Sequence, residues 1–196
     1  MKTILKPVHS TGGFWLVIGA LLLAASLRLL FWFAVACAVH ELGHGAAIRL
    51  LGGRVQSLRL TAVGAVLQPQ RARLFSYGEE WVMAAAGPLA SFLLAVGSAV
   101  WGRQFGGADA YLLSGLSLAL GLFNLIPARP MDGGRMLQAM LSRFLGLDVG
   151  ETAVQTTTRI FGIFLTGAGV WLWRMGGNFT LLLCGIWLLF RRRSAV

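Results

Sequence analysis

Two histidines and a glutamate near position 40 are the residues of this 196-residue chain whose types and spacing could do chemistry together: His40-Glu41-Leu42-Gly43-His44. On a helix of 3.6 residues per turn, His40 and His44 stand about 40° apart on one face and about 6 Å apart along the axis. Both imidazoles can therefore reach one ion. Glu41 lies about 100° round from His40, near enough to touch a water held by that ion without itself binding the metal. Zinc hydrolases use this arrangement, with the glutamate as general base. With three histidines and four glutamates in the chain, chance would produce it in roughly one shuffled sequence in a thousand. The other use of the same side chains is hydrogen bonding to neighbouring helices.

A catalytic zinc normally takes three protein ligands and keeps one position open, so a third donor must come from elsewhere. The remaining acids are Glu79, Glu80, Asp109, Asp132, Asp148 and Glu151. Glu79 and Glu80 open an apolar span, where a helix N-terminus favours acids. Asp109 falls at the far end of another span, and Asp148 and Glu151 sit in a polar loop. Asp132 is different. It follows Asn124-Leu125-Ile126-Pro127-Ala128-Arg129-Pro130-Met131, where two prolines break a span near the face toward which the histidine helix descends. Asp132 can meet the histidines there. Standing before Gly133-Gly134 and a short helix, it can also be an ordinary N-cap, and the two roles can coexist on different oxygens. Asn124 is an amide inside a span, and serves either as glue between helices or as a hydrogen-bond donor to substrate. Cys37, one turn before His40, reads as a small buried hydrophobe, and His9 as a solvated side chain. Cys37 and Cys184 both lie in apolar runs, which supports neither a disulfide scaffold nor a thiolate zinc site.

The elements that must position these residues follow from composition. With 57% hydrophobic and 12% charged residues and a mean hydropathy of +0.73, the chain is too apolar for one soluble domain. It reads as an all-α polytopic membrane protein, a single domain over 1–196. The run from Phe14 to Leu51 would make a helix about 57 Å long, about twice the hydrocarbon core. It must hold two spans, with the turn near Ser26 and Arg28. Six spans are expected in all, at about 12–27, 29–51, 80–101, 110–127, 156–173 and 177–190. Lys2 and Lys6 before an apolar stretch ending Ala24-Ala25-Ser26 resemble a signal peptide, but the next span follows at once, so cleavage is not expected.

After the second span, alternation through Val55, Leu58, Leu60 and Val63 suits strands better than a helix. Met136, Leu137, Met140, Leu141 and Phe144 predict a short amphipathic helix over 133–145 at the interface. In the third span, Gly87, Ser91, Ala95 and Ala99 form a four-residue repeat of small side chains suited to close helix approach; this stripe is read as packing, with no chemistry implied.

The surplus of ten positive charges orients the bundle rather than binding nucleic acid. Six spans put both termini on one side with the 52–79 and 128–155 loops. That side holds Lys2, Lys6, Arg49, Arg54, Arg59, Arg71, Arg73, Arg129, Arg135, Arg143, Arg159 and Arg191 to Arg193, fourteen bases against Arg28, Arg103 and Arg174 opposite. Both termini are therefore expected in the cytoplasm.

Taken together, these motifs resemble the site-2 protease family of intramembrane zinc metalloproteases, most closely its stage IV sporulation protein FB branch. His40-Glu41-Leu42-Gly43-His44 matches the family's zinc helix, Ala85-Ala86-Gly87-Pro88 its third-span signature, and Asn124-Leu125-Ile126-Pro127 through Pro130-Met131-Asp132-Gly133-Gly134 its second motif. The resemblance implies one Zn2+ held by His40, His44 and Asp132, with Glu41 activating water and Asn124 helping to hold substrate. It also implies a membrane-associated β-hairpin over about 54–70 and a place in a bacterial or archaeal cell membrane. The implied partners are a membrane-embedded protein substrate, such as a membrane-tethered transcription or signalling factor, and a regulatory membrane protein. The nucleotide-sensing domain that follows the last span in the sporulation branch is not expected after Arg191-Arg192-Arg193-Ser194-Ala195-Val196.

Two other classes compete with a protease. A catalytically silent membrane scaffold or zinc-binding chaperone would use the same fold, but the full set of ligands and base is present. A metal transporter would need polar residues along a path through several spans, and the non-cytoplasmic half is almost bare of them. Three histidines are too few for the histidine boxes of di-iron membrane oxidases.

Overall fold

The structure is a computed structural model that describes residues 9–10, 25–61, 64–69, 75–177 and 179–190. The expected first span at 12–27 lies outside the described residues except for its last three positions, as do Lys2, Lys6, Arg71, Arg73 and the arginines at 191–193. Chain order is β1 (His9–Ser10), α1 (Leu27–Leu50), β2 (Val55–Thr61), β3 (Gly64–Pro69), α2 (Tyr77–Phe105), α3 (Ala108–Asn124), α4 (Asp132–Leu145), α5 (Leu147–Arg174) and α6 (Thr180–Phe190). The chain divides into two compact units, Met1–Leu125 and Ile126–Val196.

In the first unit, Ser26 caps α1 by accepting from the Leu29 N–H at 3.3 Å. α1 therefore begins at the boundary expected near Ser26 and Arg28. α2 begins with a capping box: Ser76 Oγ accepts from the Glu79 N–H, and Glu79 accepts from the Ser76 N–H at 2.8 Å. The acids that open this helix thus satisfy two of its orphan donors. β2 and β3 pair antiparallel and β1 adds parallel to β2, making a three-stranded sheet over the stretch whose alternation suits strands.

Close packing of the three helices depends on small residues. A Cβ at Gly43 of α1 would lie 2.5 Å from the Ala86 carbonyl oxygen of α2, and one at Gly121 of α3 would meet the Phe92 ring at 2.8 Å. Ser114 Oγ of α3 donates to the Ala95 carbonyl of α2 at 2.8 Å. Below the histidines, Ala47, Ile48 and Met83 form a small apolar core. At the opposite end of α1, Arg28 Nε and Trp32 Nε1 both donate to Asp109 Oδ1 of α3, at 2.5 and 2.8 Å. The Arg28 hydrogen bond, with help from Trp32, holds the Asp109 carboxyl below the usual carboxylate range.

In the second unit, α4 is strongly amphipathic and packs against α5, where Gly150 leaves room for Ser142. α5 and α6 form a close hairpin: a Cβ at Gly169 would lie 2.4 Å from the Leu182 amide nitrogen, and one at Gly185 2.5 Å from that of Thr166.

Polarity is arranged inside out relative to a soluble protein. His40, Ser91, Ser98 and Ser117 are buried, whereas Leu42, Leu89, Leu93 and Val96 are exposed. Among the described residues two helices, α1 and α2, are long and apolar enough to cross a membrane, and α6 is a shorter apolar helix. A helix covers most of each expected span at 29–51, 80–101, 110–127, 156–173 and 177–190, and two of these helices are long and apolar enough to cross a membrane.

Candidate metal centre

α1 is continuous through His40-Glu41-Leu42-Gly43-His44, so the two histidines share one face, as their spacing requires. Both are buried, with 4% and 7% of their surfaces exposed. Their Nε2 atoms approach to 3.2 Å, with the rings at 81° to one another. Glu41, on the same helix, is half-buried.

The other ring nitrogens explain this orientation. His44 Nδ1 lies 2.7 Å from the Met83 carbonyl oxygen. A carbonyl can only accept, so the proton is on Nδ1 and the Nε2 lone pair is turned inward. His40 Nδ1 lies 2.9 Å from Ser91 Oγ. Between these two contacts the α2 backbone passes at Gly87, where a Cβ would come within 2.2 Å of His44 Nε2 and 2.8 Å of His40 Nε2. Met83, Gly87 and Ser91 are four residues apart and line one face of α2.

These features fit zinc. Two nitrogens on a tetrahedral zinc, each at about 2.0–2.1 Å, stand about 3.3–3.4 Å apart. The two Nε2 atoms stand at nearly that separation, and the absence of a side chain at Gly87 leaves them unobstructed.

Asp132 belongs to the second unit. It is the first residue of α4, 93% buried, with one carboxylate oxygen 3.7 Å from Arg135 Nη1. The N-cap position falls to Met131, and no side chain caps this helix, so the ordinary N-cap alternative for Asp132 is not what the structure adopts. The preceding loop is fastened firmly. The Arg129 N–H donates to Thr158 Oγ1 at 2.9 Å, the Arg129 guanidinium to Gln138 Oε1 at 2.6 Å, and Thr157 Oγ1 to the Pro127 carbonyl. A Cβ at Gly134 would strike the Ala128 carbonyl at 2.7 Å, which explains a glycine in this first turn.

Asn124 ends α3, and its Nδ2 donates to the Leu120 carbonyl one turn earlier at 3.0 Å. This bond lies within one helix. Ser91 is the residue that sequence reasoning passed over. It stands in the small-residue stripe read as packing alone, and the structure gives it a hydrogen bond to a candidate ligand as well.

Known proteins resemble the chain in the same terms. Residues 108–168 match the family model described as Peptidase family M50. A zinc metalloprotease of Methanocaldococcus jannaschii is 37% identical over 117 residues, covering 57% of this chain and 34% of that protein. Stage IV sporulation protein FB of Bacillus subtilis is 26% identical over 178 residues, covering 87% of this chain and 59% of its own length. The chain thus spans less than two thirds of these curated relatives. Among solved structures, the site-2 protease from Methanocaldococcus jannaschii matches with a TM-score of 0.73 and 28% identity, over 100% of this chain and 96% of that one. The chain is thus similar to zinc metalloproteases, to the peptidase family M50 model over residues 108–168, and to a solved site-2 protease.

Proposed function

We propose that this chain is an intramembrane zinc metalloprotease that hydrolyses a peptide bond in or near the transmembrane segment of a membrane-tethered protein, such as a transcription or signalling factor. The observation that carries this reading is the pair of inward-turned Nε2 atoms at 3.2 Å on an apolar helix long enough to cross a bilayer. Ionisable groups in a span are costly and mark function by default.

Asp132 is the third ligand in this reading, which would give two imidazoles and one carboxylate and leave a fourth position open. Zinc bound there would acidify water and polarise the scissile carbonyl. Glu41 takes the proton from the attacking water and returns it to the leaving amine. Asn124 holds the substrate near its scissile bond. A peptide bond in a helix is shielded by its own hydrogen bonding, so the substrate must unwind locally. The β2–β3 hairpin, as a membrane-associated element, offers an edge strand with which the extended substrate pairs. Six spans with both termini in the cytoplasm complete the topology.

The test is metal-dependent cleavage. Purified protein is expected to carry one zinc per chain, to lose cleavage of a membrane-embedded substrate on chelation, and to regain it on adding Zn2+. His44→Ala and Asp132→Ala are expected to lose the metal. Full zinc content in both variants would overturn the ligand assignment.

A further inference from the structure

We infer that Ser91 is a positioning residue for the metal centre: its hydroxyl accepts from His40 Nδ1 and so holds Nε2 of that ring toward the ion. This inference rests on the reading that His40 and His44 hold zinc. Three observations support it. Ser91 is completely buried, so water cannot take its place as the partner of His40. Its Oγ lies 2.9 Å from His40 Nδ1, a normal hydrogen-bond length. It also stands eight residues beyond Met83, whose carbonyl does the same for His44 at 2.7 Å.

One face of α2 therefore orients both rings. Met83 uses a main-chain carbonyl, which fixes one proton position outright. Ser91 uses a side chain, which makes its contribution accessible to mutation. A metal-bound imidazole generally needs such a partner on its other nitrogen to fix tautomer and ring orientation, and losing that partner typically lowers metal affinity or activity by about 10–100-fold.

A structural role alone would also be served by a buried hydroxyl, so the test reads the metal and not only the fold. Zn2+ affinity is measured on the folded full chain by competition with a chromophoric chelator, and the visible spectrum is recorded after Co2+ substitution. Ser91→Ala is expected to bind Zn2+ about 10–100-fold more weakly and to show an altered Co2+ spectrum. Ser91→Thr, which keeps the hydroxyl, is expected to recover affinity. Ser98→Ala, which removes another buried hydroxyl on α2, is expected to match wild type. If Ser91→Ala binds Zn2+ within twofold of wild type with an unchanged Co2+ spectrum, while His40→Ala loses the metal, the inference falls and the metalloprotease reading stands. If wild type itself binds no Zn2+, both fall together. Should Ser91→Ala fail to fold, proton spectra of the 15N-histidine-labelled, Zn2+-loaded wild-type chain decide. An Nδ1 proton on His40 that is hydrogen-bonded and protected from exchange is the expected result, and an Nδ1 proton that exchanges freely overturns the inference.

Discussion

At Gly87 an added Cβ would come within 2.2 Å of His44 Nε2 and 2.8 Å of His40 Nε2, in the space into which both lone pairs point. The atoms it meets are the ends of side chains, which can rotate away. Alanine also favours a helix interior over glycine by about 1 kcal/mol. Gly87→Ala is therefore expected to keep its helical circular dichroism and lose at least tenfold in Zn2+ affinity. An unchanged affinity would show that the rings can hold the ion without this space. The histidines and Glu41 were legible in the sequence because their chemistry depends on helical spacing alone. The second partner of each ring was not, because Met83 contributes a carbonyl, which every residue carries, and Ser91 acquires its role only from the helix packed beside it. Asp132 was legible as a candidate by elimination among few acids, with its N-cap alternative removed only when Met131 proved to hold that position.

The helices position the site through close approach, and Gly43 is a point where α1 and α2 pack closely. A Cβ there meets main chain, the Ala86 carbonyl at 2.5 Å, which cannot rotate away. Gly43→Val is expected to cost about 1–3 kcal/mol through overpacking and to weaken zinc binding as the α2 partners of both histidines move off. Thermal unfolding and zinc content measured on the same preparation check both effects. The Arg28, Trp32 and Asp109 cluster ties the other end of α1 to α3. Because the folded Asp109 carboxyl is held below its ordinary value, its contribution is present above the unfolded pKa of about 3.9 and is lost as pH falls through the folded value. The Tm of Asp109→Asn should accordingly lie below that of wild type at pH 7, with the gap closing as pH drops below about 4.

Element boundaries were readable where hydropathy and capping agree. α1 at Leu27–Leu50 matches the expected 29–51 and α4 at Asp132–Leu145 the expected 133–145. α5 begins at Leu147 rather than 156, because Asp148, Glu151 and Gln155 hide a helical end from a reading tuned to apolar runs. α2 likewise continues to Phe105 past the expected 101, carrying Arg103 in its last turn, where a cation suits the helix C-terminus.

For the molecule as a whole, the proposed six-span topology, with the arginine-rich side in the cytoplasm, makes a prediction of its own. In intact cells, cysteine at position 103 is expected to react with a membrane-impermeant maleimide, and cysteine at 143 only after lysis. Reaction of both from outside would contradict the six-span orientation. Whether the zinc site is hydrolytic depends on Glu41, the one acid placed beside the ligands on their own helix. The most direct measurement reconstitutes wild type and Glu41→Gln in liposomes with single-span membrane proteins as substrates, and reads zinc content and cleavage products together. Wild type should carry one zinc and cleave, and Glu41→Gln should carry the same zinc and leave the substrates intact. Equal cleavage by the two proteins would contradict a metalloprotease in which Glu41 moves the proton.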